Sequence, residues 1–409
     1  MSSPSCSSHA TSPAVTGRMS ERRVSLLCGL LATLGPVSLT IYLPSVSEVT
    51  RYFATDQAHV QLSISSFFAG FALTQLVCGP LSDRYGRKPV AIAFLLIYLA
   101  GSALALLAQS IESLIAARVL QGVGSAVGIA LSRAIVRDLF VREQAVRIQA
   151  GVGIAMSAGP VLSPTLGGAI VTLGDWHLVF VVMAAWGLTV LLTVLTMLRE
   201  TRPLPASSLS PAHIAGTYRR VLATPRFLLA ALVLAGTNGT IYAQASVLPL
   251  VMIDQLRLAP YQFGLFMLFQ ALAFVGCSLL LRRWVGRVSV RRIYSIGLTL
   301  MMLSCLSLAV ALLWLQPNVW LMAVPLLLCG AAVACTMPTM VVTALDAFPS
   351  SHGAASAVLG CIQMGAGMIG GYLAAQFLDP ALALAMITCA MGSIALVCGV
   401  GLRRLLRPL

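Results

Sequence analysis

The sequence predicts an all-α integral membrane protein whose twelve transmembrane helices form two pseudo-symmetric six-helix bundles. Three observations lead to that fold class. The 409 residues are 58% hydrophobic and only 9% charged, too apolar for a soluble globule of this length. The apolar residues gather into twelve runs, each near the ~20 residues that a helix needs to cross a ~30 Å hydrocarbon core. The basic residues crowd alternate connections between those runs. A membrane barrel would instead need ~10-residue alternating strands, which are absent from the sequence. Helices suit the runs because each one satisfies its own backbone N–H and C=O groups in lipid.

The chain opens on MSSPSCSSHATSPAVTG, a Ser/Thr/Pro-rich stretch within a tail, 1–23, expected to be disordered and cytoplasmic. Arg22 and Arg23 before an apolar run mimic a secretion signal. That run is long enough to span and lacks a small-residue cleavage site, so it reads as the first span; Met19 is an alternative start. Spans at 24–44, 59–80, 89–109, 112–136, 145–172 and 176–198 compose a first bundle, 24–198. The polar, basic, Pro/Ser-rich stretch 199–226 reads as a linker. Spans at 227–250, 261–281, 292–315, 319–344, 353–377 and 381–402 compose a second bundle, 227–402, and leave a tail, 403–409. LSDRYGRK, 81–88, between spans two and three has a degenerate echo in LRRWVGRV, 281–288, between spans eight and nine. The matching topological position suggests duplication.

A net charge of +14 raises the question of nucleic acid, and the distribution answers it. With an inside N-terminus, only Arg51 and Arg257 fall outside and Arg118 falls within a span; the other 23 of 26 basic residues lie at or near the inner face. The acidic residues divide evenly between the faces. A bias in basic but not acidic residues is the signature of membrane orientation, with both termini cytoplasmic, and speaks against nucleic-acid binding. Nine of the ten cysteines sit in or beside apolar runs with no Cys-x-x-Cys, and read as small packing residues. The five histidines lie scattered in loops without ligand spacing, so neither a metal nor another cofactor is expected. No nucleophile–base pair or carboxylate cluster falls within the spans, which disfavours a membrane-embedded enzyme. A receptor-like sensor is disfavoured because no soluble signalling domain is present.

Several motifs carry a family resemblance. GPLSDRYGRKPV, 79–90, resembles the signature between helices two and three of the major facilitator superfamily. RVLQGVGSA, 118–126, resembles that superfamily's fourth-helix motif, and AGPVLSPTLGG, 158–168, the fifth-helix motif of its drug exporters. YLPSV ending span one, SRAIVRDLF, 132–140, and HGAASAVLGCIQM, 352–364, are similar to the bicyclomycin/chloramphenicol resistance (Bcr/CflA) branch of drug:proton antiporters. The resemblance implies a major facilitator fold and a monomer in the bacterial inner membrane. It also implies export of a small hydrophobic or amphipathic drug against protons by alternating access. A metabolite or sugar exporter and an uncoupled facilitator of the same fold remain alternatives.

Gly79 and Gly86 permit a tight reversal and close helix approach, and Pro80 and Pro89 fit helix ends. The resemblance implies that Asp83 faces the start of helix eleven, near Ser351 to Gly353, and that Arg87 bridges to Asp138. Together they would form an inner latch; the alternative is a purely orienting role for the charges. Arg118 is a charge within a span, which points to a cavity or a partner. It shares a stripe with Gly122, Ser125, Ile129 and Ser132, with Gln121 at the edge; snorkelling to the outer headgroups is the alternative. Gly159, Ser163 and Gly167 form a small-residue stripe on helix five, with Pro160, Pro164 and Gly168 one step round. The resemblance assigns that helix to the seam between bundles. Tyr42, Phe67, Phe71, Gln75, Asn238, Tyr242 and Gln270 are candidate substrate contacts, or ordinary packing. Proton coupling wants a buried titratable group in the path. Relatives in the branch read Asp-x-Tyr-Leu-Pro where this chain has Thr40 before Tyr42, Leu43 and Pro44. Glu48 and Glu112 are the nearest substitutes, and Glu112 is six residues from Arg118.

Overall fold

The computed structural model describes residues 19–140, 142–201, 211–284, 288–315, 318–348 and 351–405. The first span is α1 (Glu21–Thr40), continued by a 3-10 turn (Leu43–Ser45) into α2 (Val46–Tyr52). Then follow α3 (Gln57–Tyr85), α4 (Arg87–Leu106), α5 (Ile111–Leu139), α6 (Arg142–Leu173) and α7 (His177–Met197). After α8 (Pro211–Leu222) come α9 (Pro225–Pro249), with a π-helical extension (Leu250–Gln255), and α10 (Pro260–Trp284). The last four are α11 (Val290–Leu313), α12 (Val319–Leu345), α13 (His352–Ala374) and α14 (Pro380–Leu405). Among the described residues, 11 helices are long and apolar enough to cross a membrane. The 32-residue α6 occupies the fifth place in the series.

Local chemistry sets the boundaries. Asp56 caps α3 by accepting the His59 N–H at 2.9 Å, and Asn318 caps α12 by accepting the Leu321 N–H at 2.8 Å. Ser110 and Ser113 form a reciprocal capping box at the start of α5. Gly86 alone separates α3 from α4, at φ 97°, where an L side chain would be strained.

Several expectations change. YLPSV does not end the first span: Pro44 sits at the start of the 3-10 turn and the chain stays helical to Tyr52. Gly79 and Pro80 lie inside α3, not at its end, and the position of Gly79 is open, so it serves neither the reversal nor a close approach. The linker is not all irregular. α8 buries Val221, packs against α13, and Tyr218 Oη donates to the Leu76 carbonyl at 2.7 Å. Residues 1–18, 202–210 and 406–409 lie outside the described residues, as do Gly286 and Arg287 of the second-half echo.

Packing follows the chain's two halves. Within the first, α5 packs on α1, α3 and α4, while α1 packs on α6 and α7. Within the second, α9 packs on α12, α13 and α14, and α11 on α12 and α14. Two helix pairs make the main joins across the halves, α3 with α13 and α6 with α10. The α6–α10 join depends on absent side chains. A Cβ at Gly264 would lie 2.6 Å from the Pro164 carbonyl oxygen, and one at Gly168 would collide with that of Pro260.

Candidate functional site

Two buried guanidinium groups organise the polar interior of the first half. Arg87, at the start of α4, is 2% exposed. Its Nε donates to Asp138 Oδ2 at 3.0 Å, its Nη1 to Ser82 Oγ at 2.5 Å, and its Nη2 pairs with Asp83 Oδ1 at 2.8 Å. Just beyond α7, Glu200 accepts the backbone N–H groups of Arg87 at 2.9 Å and Lys88 at 3.1 Å, an anion on a helix N-terminus. Lys88 Nζ donates to the Leu195 carbonyl at 2.9 Å. A Cβ at Gly86 would lie 2.6 Å from Glu200 Oε2, so this glycine admits both the turn and the cap. The knot thereby ties α3, α4, α5 and the end of α7 together. Sequence reasoning passed over Glu200; the signal was an acid directly after a span, inside an otherwise basic linker. The expected approach of Asp83 to Ser351–Gly353 involves His352, whose side chain lies outside the described residues.

Arg118, in the second turn of α5, is fully buried, which excludes snorkelling. Its Cζ sits 4.7 Å from the Tyr42 ring centroid and 4.5 Å from that of Phe67. Nη1 donates to Gln121 Oε1 at 2.8 Å and to the Ser38 carbonyl at 3.4 Å. Gln121 Nε2 in turn donates to Ser102 Oγ at 2.9 Å, and Tyr98 Oη and Ser38 Oγ bond at 2.6 Å. Arg118 Nε and Nη2 are buried with no hydrogen-bond partner among the described residues. The stripe expected to line a cavity faces protein instead: a Cβ at Gly122 would strike the Phe67 backbone. Glu112 is not the partner of Arg118. It is exposed in the first turn of α5 beside Ser110 and His59, whereas the groups around Arg118 are Tyr42, Tyr98, Gln121 and Ser38.

The aromatic candidates divide by face. Phe67 and Phe71 turn into the first half, Phe67 on Arg118 and Phe71 beside Gly35. Phe68, one step round α3, crosses to Tyr242 of α9 with ring centroids 4.6 Å apart. Gln75 Nε2 donates to the Ala126 carbonyl at 3.4 Å and borders Gly360 of α13. Gln270 Nε2 donates to Gln244 Oε1 at 2.9 Å inside the second half, and Asn238 is buried in α9. Arg133 of α5 donates to Ser356 Oγ of α13.

On α6, Gly159 and Gly167 press on α1, against Val37 and Ile41, and Ser163 Oγ bonds Thr40 Oγ1. Thr40 Oγ1 also donates to the Pro36 carbonyl at 2.8 Å. Pro164, Thr165 and Gly168 are the residues that meet α10, and Thr165 Oγ1 donates to the Gly264 carbonyl at 3.0 Å. The small-residue stripe thus serves packing within the first half, and the neighbouring face serves the join; the side chain of Pro160 lies outside the described residues. Between α1, α6 and α7 runs a mainly apolar groove of ≈ 690 Å³, with Ser25, Thr33, Ser38 and Ser163 among its polar points and Arg22 at one end. At the opposite end of the chain's first span, Glu48 of α2 is half-buried beside Trp176 and Arg51, with Oε2 buried and unpartnered among the described residues.

Helices able to span, packed in two halves with two buried arginines inside the first, define a polytopic helical membrane protein. The Major Facilitator Superfamily family model matches residues 26–371 and 237–409, and the chain belongs to that superfamily. Multidrug resistance protein D of Escherichia coli is 28% identical over 358 residues, covering 85% of this chain and 88% of that protein. The bicyclomycin resistance protein homolog of Haemophilus influenzae is 27% identical over 355 residues, 86% of this chain and 88% of its own. Among solved structures, the Escherichia coli xylose transporter XylE superposes with a TM-score of 0.73 at 15% identity, over 95% of this chain and 98% of its own. A bacterial homolog of the human lysosomal transporter Spinster gives 0.67 at 17% identity, over 94% and 95%. The protein is a transporter and not an enzyme.

Proposed function

We propose that this transporter exports small amphipathic, drug-like molecules by alternating access in exchange for protons. The observation that carries the reading is the alignment of most of the chain with relatives named for multidrug and bicyclomycin resistance. The groove between α1, α6 and α7 supports it: ≈ 690 Å³ of apolar wall with a few hydroxyls suits a drug-sized amphipathic molecule arriving from lipid. In this reading 24–198 and 227–402 are the moving bundles of a monomer in the bacterial inner membrane. The charge bias puts both termini in the cytoplasm. The Asp83–Arg87–Asp138 knot braces the inward end of the first bundle as that bundle's part of a latch, and the α3–α13 and α6–α10 joins seal the path. With Thr40 neutral, proton coupling falls to Glu48, whose unpartnered carboxylate oxygen lies at the outer end. Thr40 also favours a second reading, an uncoupled facilitator of the same fold.

Proteoliposomes loaded with a chloramphenicol-like compound, under an imposed pH gradient, test both. Gradient-driven efflux that Glu48→Gln abolishes supports antiport through Glu48. Efflux indifferent to the gradient supports the facilitator, and no movement of any such compound removes the drug reading.

A further inference from the structure

We propose that a basic pocket between α11 and α14 binds the phosphodiester headgroup of an anionic phospholipid. The pocket, ≈ 520 Å³, is lined by Arg291, Arg292, Ser295, Ile296 and Arg403. Among the described residues it therefore offers three guanidinium groups, one hydroxyl and no carboxylate. A forked guanidinium matches phosphate oxygens bidentately, and basic pockets between spans are where anionic headgroups lodge.

Orientation of the chain in the membrane would account for basic residues here, but not for how they are held. The exposed Arg404 meets that need without a pocket. Arg403 is instead drawn between the helices, its Cζ 5.7 Å from the Tyr294 ring centroid. Its Nε is buried with no acceptor among the described residues. A donor withdrawn from water beside the Arg292 guanidinium calls for an anion.

The apolar surface below the pocket selects a lipid over a soluble anion. Ile296 lines the pocket yet is 43% exposed, and on α14 Val400 and Val397 are 39% and 69% exposed one and two turns from Arg403. Headgroup and acyl chain thus find basic and apolar surface in the order in which a bilayer presents them.

Purified full-length protein in detergent, titrated with phosphatidylglycerol or phosphatidylcholine and read by native mass spectrometry, tests this. One phosphatidylglycerol should be retained in preference to phosphatidylcholine, and millimolar inorganic phosphate should not displace it. Arg292→Gln with Arg403→Gln should weaken retention by about thirty-fold, the expectation for two basic contacts. Arg404→Gln, an equal loss per charge outside the pocket, should weaken it less than about three-fold by the same scale if its charge acts only at a distance. Arg403→Lys, which keeps the charge but loses the fork, should fall between them and serves if the double variant does not fold. Equal retention of the two lipids, displacement by inorganic phosphate, or matching losses in Arg404→Gln and the pocket variants would each overturn the proposal.

Discussion

Arg87 and Arg118 are both withdrawn from water within one half of the chain, at 2% and 0% exposure, and they are held in opposite ways. Every side-chain nitrogen of Arg87 has a partner, two of them carboxylates. Arg118 has two aromatic faces, a carboxamide and a carbonyl, and two nitrogens left over. A buried charge with carboxylate partners becomes a structural tie, because removing one member strands the others. A buried charge without them is a standing cost to stability, of the kind retained where function needs it.

Substitution by methionine should therefore act with opposite sign at the two sites. Arg87→Met removes the buried cation shared by Asp83 and Asp138 and should cost about 3 kcal/mol, read as a fall in melting temperature of the detergent-solubilised protein. Unchanged melting would dissolve the contrast at its stronger end. Gly86→Ala attacks the same knot through the backbone, since it strains a φ of 97° and displaces Glu200. It should cost about 2 kcal/mol, and Glu200→Gln should make the alanine less damaging by weakening the cap it disrupts. Arg118→Met should be neutral or stabilising by about 1 kcal/mol, while transport by the variant falls. A large loss of stability there would mean that ring contacts and neutral donors compensate the charge as well as carboxylates do.

The smallest effect lies far from both arginines. Asp56 is held below the usual carboxylate range by the backbone N–H of His59 and then by its side chain. A lowered folded-state pKa stabilises above the unfolded value near ~3.9, and that contribution fades as pH falls through the folded value. Asp56→Ala should cost about 0.5 kcal/mol at neutral pH, this cap being exposed, and the gap between variant and parent should close in acid.

Legibility differed between the knot and the rest of the interior. Arg87 meets Asp138, a pairing expected from the family resemblance, because both residues belong to motifs that name themselves. Glu200 was not seen, since it acts from beyond the sixth span, and nothing local marks its target. On α3 the sequence offers Phe67 and Phe71 as candidate substrate contacts or ordinary packing, yet Phe68 is the ring that crosses to Tyr242. On α6 the Gly159–Ser163–Gly167 stripe was correctly seen as a packing face, but its neighbour is α1 and the α10 join belongs to the adjacent face. Glu112 lay close to Arg118 along the chain and at the wrong azimuth on the helix.

Helix type and the apolar length of the spans follow from the sequence alone, because each depends on what a segment must do in lipid: bury apolar length and satisfy its own backbone. The superfamily was legible through its motifs, by resemblance. Which polar residue meets which was decided only by tertiary structure. Neighbouring residues on a helix point ~100° apart, so a one-residue difference separates an interior contact from a contact across the halves. The identity of the facing helix, and with it the difference between Arg87 as a tie and Arg118 as an uncompensated charge, is set by packing between segments far apart in the chain.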